Sequence, residues 1–179
     1  TKLDTGAKVE ANAKPIVING NRSAGIYIPH NNAFINGMFA VELRGSGVDV
    51  SGKAGSAGIY SFVPIDLQAH YIHLNGTIND SANNVGVYTP NPSLVNLGYG
   101  RVKITNGKRN TGIAVMNGGA VHSESEMQLN GGERNTAIYA SGHTSLFGGV
   151  KDVAIRSIET VTPTKDNVFI FADNGAQIK

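Results

Sequence analysis

Short runs in which apolar and polar residues alternate recur along this chain, each broken by an Asn- or Gly-rich corner and resumed beyond it. The pattern is clearest in Arg101-Val-Lys-Ile-Thr-Asn-Gly-Lys-Arg-Asn-Thr-Gly-Ile-Ala114 and in Glu126-Met-Gln-Leu-Asn-Gly-Gly-Glu-Arg-Asn-Thr-Ala-Ile-Tyr139, which begins 25 residues later. Period-2 alternation predicts a short strand on each side of the corner. The entry strands are Ile16–Ile18, Val48–Val50, Ile72–Leu74, Val102–Ile104, Met127–Leu129 and Ile158–Val161. After the corner come Ser23–Tyr27, Ser56–Tyr60, Asn84–Tyr88, Asn110–Ala114, Asn135–Tyr139 and Asn167–Phe171, spaced from each Ser or Asn to the next by 33, 28, 26, 25 and 32 residues. A third strand is predicted between phrases, at Ala33–Asn36, Ser93–Asn96, Ala120–His122 and Ser145–Phe147. Alternation turns Ile26 with Ile28, Ile113 with Val115, and Ile138 with Ala140 inward, and turns Tyr27, Ala114 and Tyr139 outward.

Dipeptides such as Asn19-Gly20, Ser51-Gly52, Asn75-Gly76, Asn106-Gly107 and Asn130-Gly131 are also hairpin signals, and hairpins would give an antiparallel sandwich. Three strands per repeat and a regular return favour parallel stacking instead, each strand pairing with its equivalent about 4.8 Å away. The expected fold is all-β: a right-handed parallel β-helix (solenoid) of about six coils, with about 25 residues per coil plus insertions. Residues 1–179 are expected to form one such segment, with Ala7–Ile18 a partial first coil. Each inward Ile, Val or Leu stabilises by about 1.5–3 kcal/mol only once a neighbouring coil covers it, so the stack is cooperative. Six coils would make a rod of roughly 29 Å.

Composition supports this and removes several functions. Gly numbers 23 and Asn is abundant, supplying positive-φ corners, while Trp and Cys are absent. Without Cys there is no disulfide, thiolate metal site or Cys nucleophile. Basic residues (15) and acidic residues (13) are interspersed, leaving no basic cluster for nucleic acid. No apolar run is long enough for a membrane-spanning helix, and Thr1-Lys-Leu-Asp-Thr-Gly6 does not read as a signal peptide. Both ends read as cut from a longer chain.

Gly-Ile-Tyr after a corner (Gly25–Tyr27, Gly58–Tyr60), preceded by a phrase such as Ile16-Val-Ile-Asn-Gly20, resembles the passenger domains of bacterial type V autotransporters. The likeness is to the pertactin-like β-helices and the very long passengers of large autotransporter adhesins, and it covers residues 7–173. It implies a right-handed parallel β-helix exported through an outer-membrane barrel outside this segment and displayed on the bacterial cell surface. It makes the chain a fragment of a longer passenger.

The outward column Tyr27, Tyr60, Tyr88, Tyr139 and Phe171, interrupted by Ala114, is the candidate ligand-binding surface. Aligned rings can stack on sugars or anchor a protein, or they can simply stack on one another. The column Ser23, Ser56, Asn84, Asn110, Asn135 and Asn167 reads as a structural ladder satisfying backbone groups at the corners. His70 and His73, three apart on a strand, face opposite sides and are a poor zinc pair. His73 is expected to point out between inward Ile72 and Leu74, and His30, His122 and His143 fall near corners or loops.

Acidic residues such as Asp49, Asp66, Asp80, Glu124, Glu126, Glu133 and Asp152 are scattered. Glu124 and Glu126, with Lys103 one coil away, are the only weak constellation, short of the converging carboxylates that polysaccharide cleavage needs. Insertions are expected at Asn36–Gly47, Val63–Tyr71, Thr89–Ser93 and Gly148–Lys165, where solenoids often carry their contacts. Arg44-Gly45-Ser46 is not an Arg-Gly-Asp motif. The expected function is a non-catalytic adhesin segment that mediates or spaces contact with a host or bacterial cell-surface glycan or protein. It requires no cofactor, metal or catalytic residue. The alternative is a carbohydrate-active β-helix enzyme of the polysaccharide lyase or tailspike kind. A structural segment of a bacterial toxin would carry the same sequence pattern.

Overall fold

The computed structural model describes residues 8–10, 16–18, 21–29, 41–44, 48–50, 54–66, 71–75, 83–91, 93–98, 101–123, 126–142, 158–159 and 165–176. These residues are all β, without a helix, and every strand pairing is parallel. The hairpin alternative is therefore not adopted.

The described strands recur in sets of three, or circuits, one strand for each of three sheets. The first runs through β1 (Lys8–Glu10), β2 (Ile16–Ile18) and β3 (Ala24–Ile28), the second through β4 (Val41–Arg44), β5 (Val48–Val50) and β6 (Ala57–Ser61). The third comprises β7 (Ile65–Asp66), β8 (Tyr71–Asn75) and β9 (Val85–Thr89), and the fourth β10 (Leu94–Gly98), β11 (Arg101–Thr105) and β12 (Thr111–Val115). The fifth comprises β13 (Ala120–Ser123), β14 (Glu126–Asn130) and β15 (Thr136–Ser141), and β16 (Ile158–Glu159) and β17 (Val168–Asp173) come after it.

Successive strands enter three sheets in rotation, ordered β1-β4-β7-β10-β13, β2-β5-β8-β11-β14-β16 and β3-β6-β9-β12-β15-β17. Each strand is thus covered by its equivalent in the next circuit, and the alternation read from sequence becomes continuous rows of like side chains. Ile59, Val87, Ile113 and Ile138 form one inward row, with register partners at each step and exposures of 2% or less. Ile72–Val102–Met127 and Leu74–Ile104–Leu129 line the second sheet, and Ile65–Val95–Val121 the first.

Two expectations change. Val41–Arg44 and Ile65–Asp66, read as insertion, are strands of the first sheet, and Ile65 is fully buried. Strands of four and two residues hold too few alternations to announce themselves; their partners define them. Ala114, expected to face outward, is 5% exposed. Its methyl group lies in register between two tyrosines, Tyr88 and Tyr139, too small to reach past them. The predicted strands at Ala33–Asn36 and Ser145–Phe147 lie outside the described residues.

Glycine at the second position of β9 and β12, in Gly86-Val-Tyr and Gly112-Ile-Ala, answers to a close approach of sheets. A Cβ on Gly112 would sit 2.3 Å from Val102 Cγ1 and 2.6 Å from the Ala137 carbonyl, and one on Gly86 would sit 2.1 Å from Ile72 Cγ2. In the next circuit Ala137 fills this position and is fully buried, while the second-sheet row places unbranched, flexible Met127 where Val102 stands. Gly112→Ala is expected to lower unfolding free energy by about 1–3 kcal/mol, through overpacking against the branched Val102. Urea titration checks this, and an unchanged midpoint would mean that the sheets can separate freely.

Candidate functional site: the outward ring row and the corner column

The proposed aromatic column forms, in two blocks. Tyr27, Tyr60 and Tyr88 are register partners on adjacent strands, as are Tyr139 and Phe171. Ring centroids lie 5.8 Å apart for Tyr27–Tyr60, 5.1 Å for Tyr60–Tyr88 and 5.6 Å for Tyr139–Phe171, the planes of the last pair nearly parallel at 7°. These are the distances of mutual aromatic packing. Phe62, two residues beyond Tyr60 and hence on its face, joins the first block at 5.3 Å from Tyr60 and edge-on to Tyr27 at 6.2 Å. That i, i+2 spacing was the available signal for it.

Only the end members of the row present much ring surface, Tyr27 at 41% and Phe171 at 44% exposure. Burial above all, then the neighbouring Tyr88 and Tyr27, raises the Tyr60 phenol above its ordinary pKa. Tyr139 donates its hydroxyl proton to Asp173 Oδ2 at 2.8 Å. That bond, and after it burial, raises the Tyr139 pKa. Ser141 first and Tyr139 second hold Asp173 below the ordinary carboxylate value.

At the corners, the residue before each Ser or Asn of the column has positive φ: Arg22, Gly55, Asn83, Arg109, Arg134 and Asp166, between 49° and 64°. Only one of them is glycine, so the left-handed turn is imposed by the contacts of the column residue next to it. The backbone N–H of each column residue donates to the side chain of its equivalent in the next circuit. Ser23 donates to Ser56 Oγ at 3.3 Å, Ser56 to Asn84 Oδ1 at 2.9 Å, and Asn84 to Asn110 Oδ1 at 3.0 Å. Asn110 donates to Asn135 Oδ1 at 3.0 Å, and Asn135 to Asn167 Oδ1 at 2.8 Å. The amide groups of Asn135 and Asn167 also donate to corner carbonyls of Asn106, Gly107 and Gly131. Ser56, Asn84, Asn110 and Asn135 are all 1% exposed or less, so these four members of the column are internal and inaccessible to a ligand.

Beside it, Glu133 is bridged by Lys108 and Lys165 from the circuits on either side, each at 3.6 Å, and Arg134 spans Glu133 and Asp166 at 3.7 Å. Lys165 first, then Lys108 and Arg134 against a desolvation that opposes them, hold the Glu133 carboxyl below its ordinary pKa.

His73 is half-buried between fully inward Ile72 and Leu74, as expected, and its Nε2 lies 3.3 Å from Thr105 Oγ1. His30, His70, His143, Asp80, Glu124 and Asp152 lie outside the described residues. Glu126 is the register partner of Arg101, and Lys103 pairs with Gln128 rather than with Glu126. Sequence reading missed one juxtaposition. On the first sheet, Lys8, Glu42, Asp66, Asn96 and His122 occupy one continuous register row, placing two acidic positions on adjacent strands. Glu42 and Asp66 are 24 residues apart in sequence, and only the strand assignment of Val41–Arg44 and Ile65–Asp66 reveals the pairing. Among the described residues, no group of three or more His, Asp or Glu side chains could hold a metal ion.

No protein-family model, curated protein or solved structure matches this chain.

The corner column makes a graded prediction. Asn110→Ala leaves the buried Asn84 N–H without its acceptor and is expected to cost about 1–3 kcal/mol. Asn110→Ser keeps a side-chain oxygen, as at position 56, and should cost clearly less. Chemical denaturation of the two variants checks the order; equal losses would mean that bulk, not the hydrogen bond, matters there.

Proposed function

We propose that the chain is a segment of right-handed parallel β-helix from a surface-displayed, non-catalytic adhesin passenger of the autotransporter kind. In this reading the coils are a stiff spacer about six circuits long, and the ring row or the insertions meet a cell-surface glycan or protein. Export would proceed through an outer-membrane barrel outside this segment. The observation that carries the reading is how the described polar groups are used. Tyr60, Glu133, Tyr139 and Asp173, whose pKa values depart from the ordinary, each owe part of that departure to a side chain one circuit away. The buried side chains of Ser56, Asn84, Asn110 and Asn135 accept from corner N–H groups. Such chemistry serves a stack, and among the described residues the rings of Tyr27 and Phe171 are exposed for contact.

A carbohydrate-active enzyme is the second reading, supported by the adjacent register positions of Glu42 and Asp66. One preparation separates the two. Purified chain is applied to a glycan array and to cell surfaces, beside a Tyr27→Ser, Tyr60→Ser, Tyr88→Ser variant whose fold is checked by circular dichroism, and is also incubated with polysaccharides. The adhesin reading expects binding that falls at least about tenfold in the folded variant, equivalent to about 1.4 kcal/mol, with no cleavage. Absence of binding by the parent restricts the segment to spacing. Release of new chain ends, lost in Glu42→Gln, would overturn the adhesin reading in favour of the enzyme.

A further inference from the structure

We infer that the outer face of β11 and the corner that follows it form a docking strip for an anionic polysaccharide, one that bears sulfate or carboxylate groups along its length. The strip lies on the second sheet and its corner, so it is a different surface from the ring row and does not rest on the reading given to those rings.

Over the whole chain basic and acidic residues are interspersed, but one stretch departs from that balance. Between Ser81 and Ser123 there is no Asp or Glu, while Arg101, Lys103, Lys108 and Arg109 fall within nine residues. The fold keeps these four together. In β11, Val102 and Ile104 are fully buried and alternate with exposed Arg101 and half-buried Lys103 and Thr105, which therefore share the outer face. Arg101 and Lys103 fall about 6.6 Å apart along the strand. The chain then turns through Asn106 and Gly107, both at positive φ, and presents Lys108 and Arg109 exposed at the corner.

Parallel register decides what lies beside the cations. In the third circuit the partners of Arg101, Lys103 and Thr105 are Tyr71, His73 and Asn75, and the Asn83 N–H donates to the Lys108 carbonyl, so no partner on that side is acidic. In the fifth circuit Gln128 and Asn130 stand beside Lys103 and Thr105, Glu126 beside Arg101, and Glu133 beside Lys108. Counter-charge is thus confined to one side of the strip. It is also divided, because Glu133 is shared by Lys108, Lys165 and Arg134 at 3.6, 3.6 and 3.7 Å. Lys103 and Arg109 take part in no ion pair among the described residues.

The surroundings choose between polyanions. Four cations are few for a nucleic acid, whose binding is carried chiefly by neutralising phosphates. Neutral hydrogen-bonding residues on both sides of Lys103, His73 and Gln128, suit a chain that carries hydroxyl groups between its charges.

Titration of the 179-residue chain with dextran sulfate, polygalacturonate, unmodified dextran and a single-stranded DNA oligonucleotide, at several salt concentrations, tests the strip. Binding is expected to the sulfated polymer, the carboxylated polymer or both, with an affinity that falls as salt rises. Unmodified dextran should not bind, and DNA should bind more weakly. Lys103→Gln with Arg109→Gln is expected to lower affinity at least about tenfold. Arg22→Gln removes the same charge as Arg109→Gln from the same positive-φ corner position three circuits away, and should leave affinity unchanged. Glu133→Gln frees Lys108 and is expected to tighten binding severalfold, a gain that partial unfolding would not produce. The folded Tyr27, Tyr60, Tyr88 serine variant should bind these polymers as the parent does. A parent that binds neither anionic polysaccharide would overturn the inference, as would tighter binding of DNA. Equal losses in Arg22→Gln and Arg109→Gln would assign the attraction to overall charge, and loss in the tyrosine variant would move it to the ring row; either result overturns the strip.

Discussion

The N–H groups of Ser56, Asn84, Asn110 and Asn135 are buried at corners where the chain cannot satisfy them within its own circuit. Each is satisfied by a side chain that arrives one circuit later, 28, 26, 25 and 32 residues along. Leaving such a group unpaired costs about 1–3 kcal/mol, so every circuit depends on its successor. The hydrogen bonds tolerate chain of very different length between them because they fix the corner and not the path. Register is pinned at the corner, and loops elsewhere can lengthen without shifting the rows.

Once register is fixed, side-chain rows need no further specification. Like residues fall one strand apart, which is favourable inside, where Ile, Val and Leu cover one another, and outside, where rings stack. The same in-register stacking would be unfavourable for charges of one sign. The corner resolves this by alternation, Lys108, Glu133 and Lys165 in successive circuits. Glycine at Gly86 and Gly112 admits Ile72 and Val102 where two sheets converge, so Gly86-Val-Tyr encodes approach, core and outer face in three consecutive residues.

Much of this was legible in the sequence because the repeat exposes it. The entry and post-corner strands, their inward and outward faces and the Ser/Asn column emerge from alternation and spacing, and the spacings counted there are the separations of the hydrogen-bonded residues. The features that escaped were short or dependent on a neighbour. Val41–Arg44 and Ile65–Asp66 have too few residues to show a period, and with them went the adjacency of Glu42 and Asp66. Burial of Ala114 depends on the tyrosines beside it, a property of the row rather than of the residue. The positive φ at Arg22, Arg109 and Arg134 was hidden because arginine ordinarily avoids that conformation. No residue pattern specified a ligand, since the polar side chains with regular spacing serve the stack itself.

Native-state hydrogen exchange of the corner amides tests most directly whether the interlocking column holds the structure together. The N–H groups of Asn84, Asn110 and Asn135 lie outside the strands, yet they should exchange as slowly as the strand amide of Ile113, opening only when the chain unfolds globally. Exchange at the rate of an ordinary exposed turn, with Ile113 still protected, would contradict the account. Stability would then reside in the sheets alone.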